Sequence, residues 1–187
     1  MHIEHSERER VKFPIIASIT SIDQIEAAVN SSVERVILMA GDIMNLSSIV
    51  KSLHDSGKKV FVHLEMVGGL GRDHSAVQYI AERFGVDGIV TTKTNAVNAA
   101  RQAGILSIQR VFAIDSPALE TAVKMIRQAR PDEVELMPGL MPRVIQEMKQ
   151  RIEQPLIVGG LIRTEEEIKQ ALASGANHLS IGSVEHW

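Results

Sequence analysis

Four short stretches of this chain hold residues whose types and spacing could do chemistry. In "KVFVHLE", Lys59 to Glu65, His63 and Glu65 stand two residues apart, so an extended strand would project both from one face. "EVELMP", from Glu133, repeats the device: Glu133, Glu135 and Met137 share one face, and Val134 and Leu136 the other. In "PLIVGGLIRTEEE", an apolar run ends on Gly159 and Gly160, and "HLSIGS" ends on Gly182 and Ser183. Glycines at a strand end let backbone N–H groups approach an anion, which makes the two turns candidates for a phosphate cup. The carboxylates would accept hydrogen bonds from ligand hydroxyls. An acid/base set or a metal site is the alternative for His63, Glu65 and Glu135, although nothing here has HExxH-like spacing.

Each of these features also has a plain structural reading. A glycine pair can simply turn the chain, and a lone histidine can simply be hydrogen-bonded in the core. Asp42, after "ILMAG", reads as one more carboxylate closing a strand. Lys93 offers a Schiff-base lysine or a solvated loop residue. Gln109 and Arg110 are adjacent on one run, so one faces in and the other out, and the pattern does not say which. The "TEEE" from Thr164 is a favourable helix start, with acidic side chains on the positive end of the helix dipole.

These positions need elements to hold them. Eight short Val- and Ile-rich runs, starting at Pro14, Arg35, Lys59, Asp87, Leu106, Glu133, Pro155 and His178, recur 19 to 28 residues apart. Such runs read as buried parallel strands. Amphipathic segments separate them: Ser21 and Asn45 as caps, Gly57, Gly85 and Gly104 as stops, and Pro117 in a first turn. The alternation is that of a parallel α/β sheet, and eight strands close into a single (β/α)8 TIM-type barrel spanning 1–187, lacking the last helix. In such a barrel the site lies at the C-terminal ends of the strands, with phosphate after strands seven and eight. That is where the glycine turns fall.

Composition narrows the functional classes. The 187 residues carry a net charge of −3, which gives no electrostatic footprint for nucleic acid, and any such contact must be a local patch. With no cysteines, disulfides, thiolate nucleophiles and Cys-based metal sites are excluded. The charged start "MHIEHSERER" lacks the apolar core of a signal peptide, and no apolar run approaches the roughly 18 residues of a membrane span. The expectation is a cytoplasmic protein that does not engage a membrane. Lys58, Lys59, Arg143, Lys149 and Arg151 read as scattered surface charge.

In order along the chain, "AGDIMN", "GKKVFVHLEMVGGL", "DGIVTTK", "SIQRVFAIDSPALE", "VELMPGLMPRVI" and "VGGLI" resemble the glycerol uptake operon antiterminator regulatory proteins. The resemblance runs from Pro14 to Trp187. It implies a barrel-like cytoplasmic regulator, not an enzyme, with glycerol 3-phosphate as effector and no cofactor or metal. The partner it implies is the leader mRNA of glycerol-utilisation genes, in which such regulators prevent early termination. Carried onto this sequence, it makes Gly159 and Gly160 phosphate contacts. It also places Arg110, Asp115, Glu135, Pro138 and Gly139 near the ligand. His63 matches the family's histidine on strand three, whereas Glu65 stands where aspartate is the more usual residue. "LSIGSVEHW" lacks the Ser-Thr pair expected after strand eight and ends instead like an ordinary phosphate barrel.

Three functional classes follow. The first is a glycerol 3-phosphate-responsive RNA regulator, with Arg143, Lys149 and Arg151 on the helix after strand six as candidate RNA contacts and homo-oligomerisation as a candidate coupled step. The second is a barrel enzyme acting on a small phosphorylated substrate, of isomerase, aldolase or prenyl-transfer type. Strand one, "PIIASI", weighs against it by offering no carboxylate. The third is a ligand-gated protein-binding module without RNA.

Overall fold

A strand rich in Val and Ile satisfies its backbone only beside another strand. In the computed structural model, which describes residues 13–187, eight such strands pair in parallel and in chain order into a closed barrel. They are β1 (Ile15–Ile19), β2 (Arg35–Leu38), β3 (Lys59–His63), β4 (Gly88–Thr91), β5 (Leu106–Phe112), β6 (Glu133–Met137), β7 (Leu156–Gly159) and β8 (His178–Ile181). Around them lie α1 (Ile25–Asn30), α2 (Ile43–Asp55), α3 (His74–Phe84), α4 (Thr94–Ala103), α5 (Ser116–Ala129), α6 (Pro142–Arg151) and α7 (Glu165–Ala173). After β8 comes a 3-10 turn, Val184–His186, in place of an α-helix, and the Trp187 indole N–H donates to the Ile181 carbonyl at 2.8 Å. No helix among the described residues is long and apolar enough to cross a membrane.

Side chains alternate across each strand, which sorts them into two cores. Outward-facing residues such as Val60, Val62, Val134, Leu136 and Val158 pack under the helices, while Ile16, Ile37, Phe61, Val90, Ile108 and Ile157 fill the barrel. Below them the Arg35 guanidinium lies 4.8 Å from the centre of the Phe61 ring and makes two hydrogen bonds to Glu133, at 2.6 and 3.1 Å. These contacts fill the N-terminal end of the barrel.

Two expectations change. The cap of α2 is Asp42, whose carboxylate accepts from the Met44 and Asn45 N–H groups, while Asn45 sits at the third helical position and returns a bond to the Asp42 N–H. Asp42 is therefore not an inward carboxylate. Lys58 is buried rather than solvated, with its ammonium donating to the Ser31 carbonyl at 2.7 Å. Elsewhere the punctuation holds: Gly85 and Gly104 end α3 and α4 in the left-handed conformation, and Thr164 with Glu167 forms a capping box on α7.

Candidate functional site

The register decides which residue of β5 faces inward. Arg110 lies opposite Glu135 of β6, and its Nε donates to Glu135 Oε2 at 2.6 Å, while Gln109 is directed at the helix layer beside Val111. The other oxygen of Glu135 accepts the Ser180 hydroxyl of β8 at 2.5 Å. Both Glu135 oxygens are thereby engaged, and a bridge from β5 through β6 to β8 crosses the barrel. Arg110 directs its remaining nitrogens at two methionine sulfurs, Met39 at 3.3 Å and Met66 at 4.0 Å.

His63 ends β3 with its ring inside the barrel. Its Nδ1 lies 3.4 Å from Glu65 Oε2 without forming a hydrogen bond, and neither ring nitrogen has a partner. Burial, reinforced by the nearby Arg110 charge, lowers its pKa from 6.5 to about 3, so the ring is neutral at physiological pH. Glu65 lies one turn beyond β3 and reaches across to β4, accepting from the Thr91 hydroxyl at 2.5 Å and the Thr92 N–H at 3.3 Å.

The loops after β6 and β7 meet at one side of the mouth. The Gly139 N–H donates to the Gly160 carbonyl at 3.3 Å, just after the cis Met137–Pro138 bond. A Cβ on Gly139 would lie 3.2 Å from the Gly159 carbonyl, and one on Gly159 would collide with Ser180 Oγ. A side chain at Gly159 is excluded, and one at Gly139 would press on Ile162 and the Gly159 carbonyl. Gly160 takes φ +76°, and Leu161, exposed beside it, takes φ +66°, a conformation that a bulky residue rarely adopts outside constrained binding loops. Gly182, at the end of β8, accepts from Gln24 Nε2 at 2.9 Å, and the Ser183 hydroxyl donates to Glu185 at 3.0 Å.

The structure therefore brings His63, Glu65, Arg110 and Glu135 together inside the mouth. It sets Pro138, Gly139, Gly159 and Gly160 along one edge, with Gly182 and Ser183 just after the neighbouring strand, β8. Asp115, exposed in the loop after β5, caps α5 through the Ala118 N–H at 2.7 Å. Lys93 is exposed at the start of α4.

On α6, Arg143 and Arg151 flank Glu147 on one face, while Lys149 is turned toward the loop before β8. Arg143 pairs with Glu147 at 3.8 Å near the mouth, Lys149 donates to Asn177 at 2.9 Å toward the opposite end, and Arg151 is clasped by Glu120 through two bonds of 2.6 Å. The Arg151 guanidinium holds the Glu120 carboxyl below its usual range.

Two serines escaped the sequence reading. Ser180 belongs to the Glu135 bridge, and Ser18 on β1 is buried inside the barrel with no partner for its hydroxyl. Their parity was the available signal, since Ser18 falls two residues after inward-facing Ile16. A depression on the outer wall, lined by Ser48, Lys51, Ser52 and Asp55, lies on the helical flank, and its Lys51–Asp55 pair at 2.6 Å leaves no converging polar set.

Comparison with known proteins matches the chain to a family and to solved barrels. A family model described as glycerol-3-phosphate responsive antiterminator matches residues 15–187. The chain is similar to the solved structure of a glycerol uptake operon antiterminator regulatory protein from Listeria monocytogenes, at 32% identity and TM-score 0.87 over 98% of this chain and 96% of that one. It is also similar to a glycerol uptake operon antiterminator-related protein from Thermotoga maritima, at 34% identity and TM-score 0.82 over 94% and 98% of the two chains. An uncharacterised Escherichia coli protein, YgcP, is 32% identical over 174 residues, covering 93% of this chain and 91% of its own.

Proposed function

The chain belongs to the glycerol-3-phosphate responsive antiterminator family, and on that premise we propose that it is a cytoplasmic, RNA-binding transcription antiterminator whose effector is glycerol 3-phosphate. The observation that supports the effector reading is the set of glycines beside the end of β8: Gly139 and Gly159 leave little or no room for a Cβ, and Gly160 takes φ +76°. This is where a (β/α)8 barrel receives phosphate. The partner is the leader mRNA of glycerol-utilisation genes.

Binding proceeds without turnover. His63, with a pKa near 3, is a weak base, and both oxygens of Glu135 are already engaged. A general base needs a pKa nearer the working pH. RNA contact must come from a local patch, because the protein as a whole carries −3. Of the α6 cations, Arg143 is the most solvent-exposed at 86% and lies at the mouth end, so it is the first to test.

Thermal melts with glycerol 3-phosphate and with glycerol test the effector. At about 100-fold excess over its dissociation constant, the phosphate ester should stabilise the fold by about 2.7 kcal/mol, and glycerol should do far less. Equal shifts would remove the phosphate-anchored site. A leader-RNA titration with and without glycerol 3-phosphate tests the coupling. A tenfold tightening of RNA, about 1.4 kcal/mol, must appear as the same tightening of the effector. RNA affinity indifferent to the effector would defeat the antiterminator reading.

A further inference from the structure

The interior of the barrel contains polar groups that nothing among the described residues satisfies. Ser18 and His63 are 4% and 3% exposed, and neither the Ser18 hydroxyl nor either His63 nitrogen has a hydrogen-bond partner. The two terminal nitrogens of Arg110 face only thioether sulfurs, which are weak acceptors. Buried polar atoms are normally paired, so a cluster of unpaired ones points to a missing partner.

The register collects these groups at one height. Ser18 pairs with Ile37, Ile37 with Phe61, Phe61 with Gly88 and Gly88 with Leu106. Strands in an eight-stranded barrel rise by about one residue per strand around the wall. The level of Ser18 is therefore reached at His63 on β3, at Arg110 on β5 and at Gly159 on β7. The four inward residues of alternate strands form one layer, to which β7 contributes no side chain.

We infer that this layer is the subsite for an uncharged, hydroxylated end of the ligand, that Ser18 is one of its specificity-determining residues, and that it refuses a carboxylate in that place. The inference rests on the reading of the mouth as a glycerol 3-phosphate site. A serine hydroxyl donates and accepts, a neutral imidazole offers one donor and one acceptor, and the Arg110 nitrogens donate. Ligand hydroxyls, which also do both, complement that set. A carboxylate only accepts, so it would leave the accepting atoms of Ser18 and His63 unmet. It would also enter a layer whose one cation is already paired with Glu135 at 2.6 Å and whose neighbour is Glu65. The same argument orients the ligand: the phosphate stays at the glycine turns, and the polyol end reaches across the barrel toward Ser18. Met66, half-exposed and unbranched, is the side chain that gives way as a hydroxyl replaces its sulfur at Arg110.

Isothermal titration of the parent protein and of Ser18→Ala with glycerol 3-phosphate, 3-phosphoglycerate and inorganic phosphate tests the assignment. The parent should favour glycerol 3-phosphate over 3-phosphoglycerate by at least about tenfold, because the carboxylate leaves buried acceptors unpaired. Ser18→Ala should lose about tenfold for glycerol 3-phosphate and nothing for inorganic phosphate. The unliganded variant should melt no lower than the parent, since it loses only an unpaired hydroxyl. Equal affinity for the two esters, or an unchanged affinity in Ser18→Ala, would overturn the subsite while leaving the effector reading intact. Failure of the folded parent to bind glycerol 3-phosphate would overturn both.

Discussion

Acidification should destabilise this protein through one histidine. His63 has its pKa lowered to about 3 in the folded state, against 6.5 for an ordinary histidine, mainly because burial penalises the charged ring. Between those values the unfolded chain binds a proton that the folded one refuses, so stability is full above pH 6.5 and falls as pH drops. One proton corresponds to about 1.4 kcal/mol per pH unit well below 6.5. Integrated from about pH 7 to about pH 5, before most carboxylates titrate, the loss is about 2 kcal/mol, or about 4–8 °C in Tm for a domain of this size. His178, also lowered by burial, adds in the same direction, so the diagnostic quantity is a difference between proteins. Urea denaturation of the parent and of His63→Gln at the two pH values isolates it. The parent should lose about 2 kcal/mol more than the variant between the two conditions. Equal losses would show that His63 is not held neutral and that its surroundings in the barrel are wetter than its 3% exposure implies.

Arg110→Met should lower stability by about 3–5 kcal/mol, because it strands the fully buried Glu135 carboxylate, and Arg110→Met with Glu135→Leu should recover most of that loss in denaturant titrations. Gly159→Ala should cost about 1–3 kcal/mol as its methyl meets Ser180 Oγ, and adding Ser180→Ala should restore less than the full amount because the Glu135 bond goes too. Asp115→Ala should cost about 1 kcal/mol by removing the α5 cap, readable as a small shift in the urea midpoint; no shift would mean that the Ala118 N–H finds water as readily.

The strand runs were legible because each is a short block of Val and Ile bounded by polar residues, and all eight starting positions fall within a residue or two of the observed strands. Local chemistry was less decisive where two residues compete for one role. "DIMN" offers both Asp42 and Asn45 as caps of α2, and the fold uses them as the two halves of one capping box. Gln109 and Arg110 are adjacent polar residues in a buried strand, and only Glu135, supplied by β6 at the matching register position, shows which faces in. How far the α6 cations are engaged is not written locally, because the partners of two of them, Glu120 on α5 for Arg151 and the Asn177 amide before β8 for Lys149, lie 31 and 28 residues away in sequence. Ser18 was invisible for the opposite reason: its importance lies in a bond it does not make, and no local pattern records an unpaired hydroxyl.

The indole that follows β8 gives this protein an optical handle. Trp187 is the single tryptophan, and there is one tyrosine, so emission excited at the red edge comes from one known place. That place is anchored to the Ile181 carbonyl at 2.8 Å, next to Gly182 and Ser183. Tryptophan fluorescence senses the polarity and mobility of its surroundings. An anion settling at the turn after β8 should change both, so the proposed effector binding is testable by intrinsic emission without a label. In the same cuvette, denaturation read through this residue reports release of the β8 end from the wall, while far-ultraviolet ellipticity reports the helices. Coincidence of the two curves would mean that the seam between β8 and β1 opens only with the whole barrel.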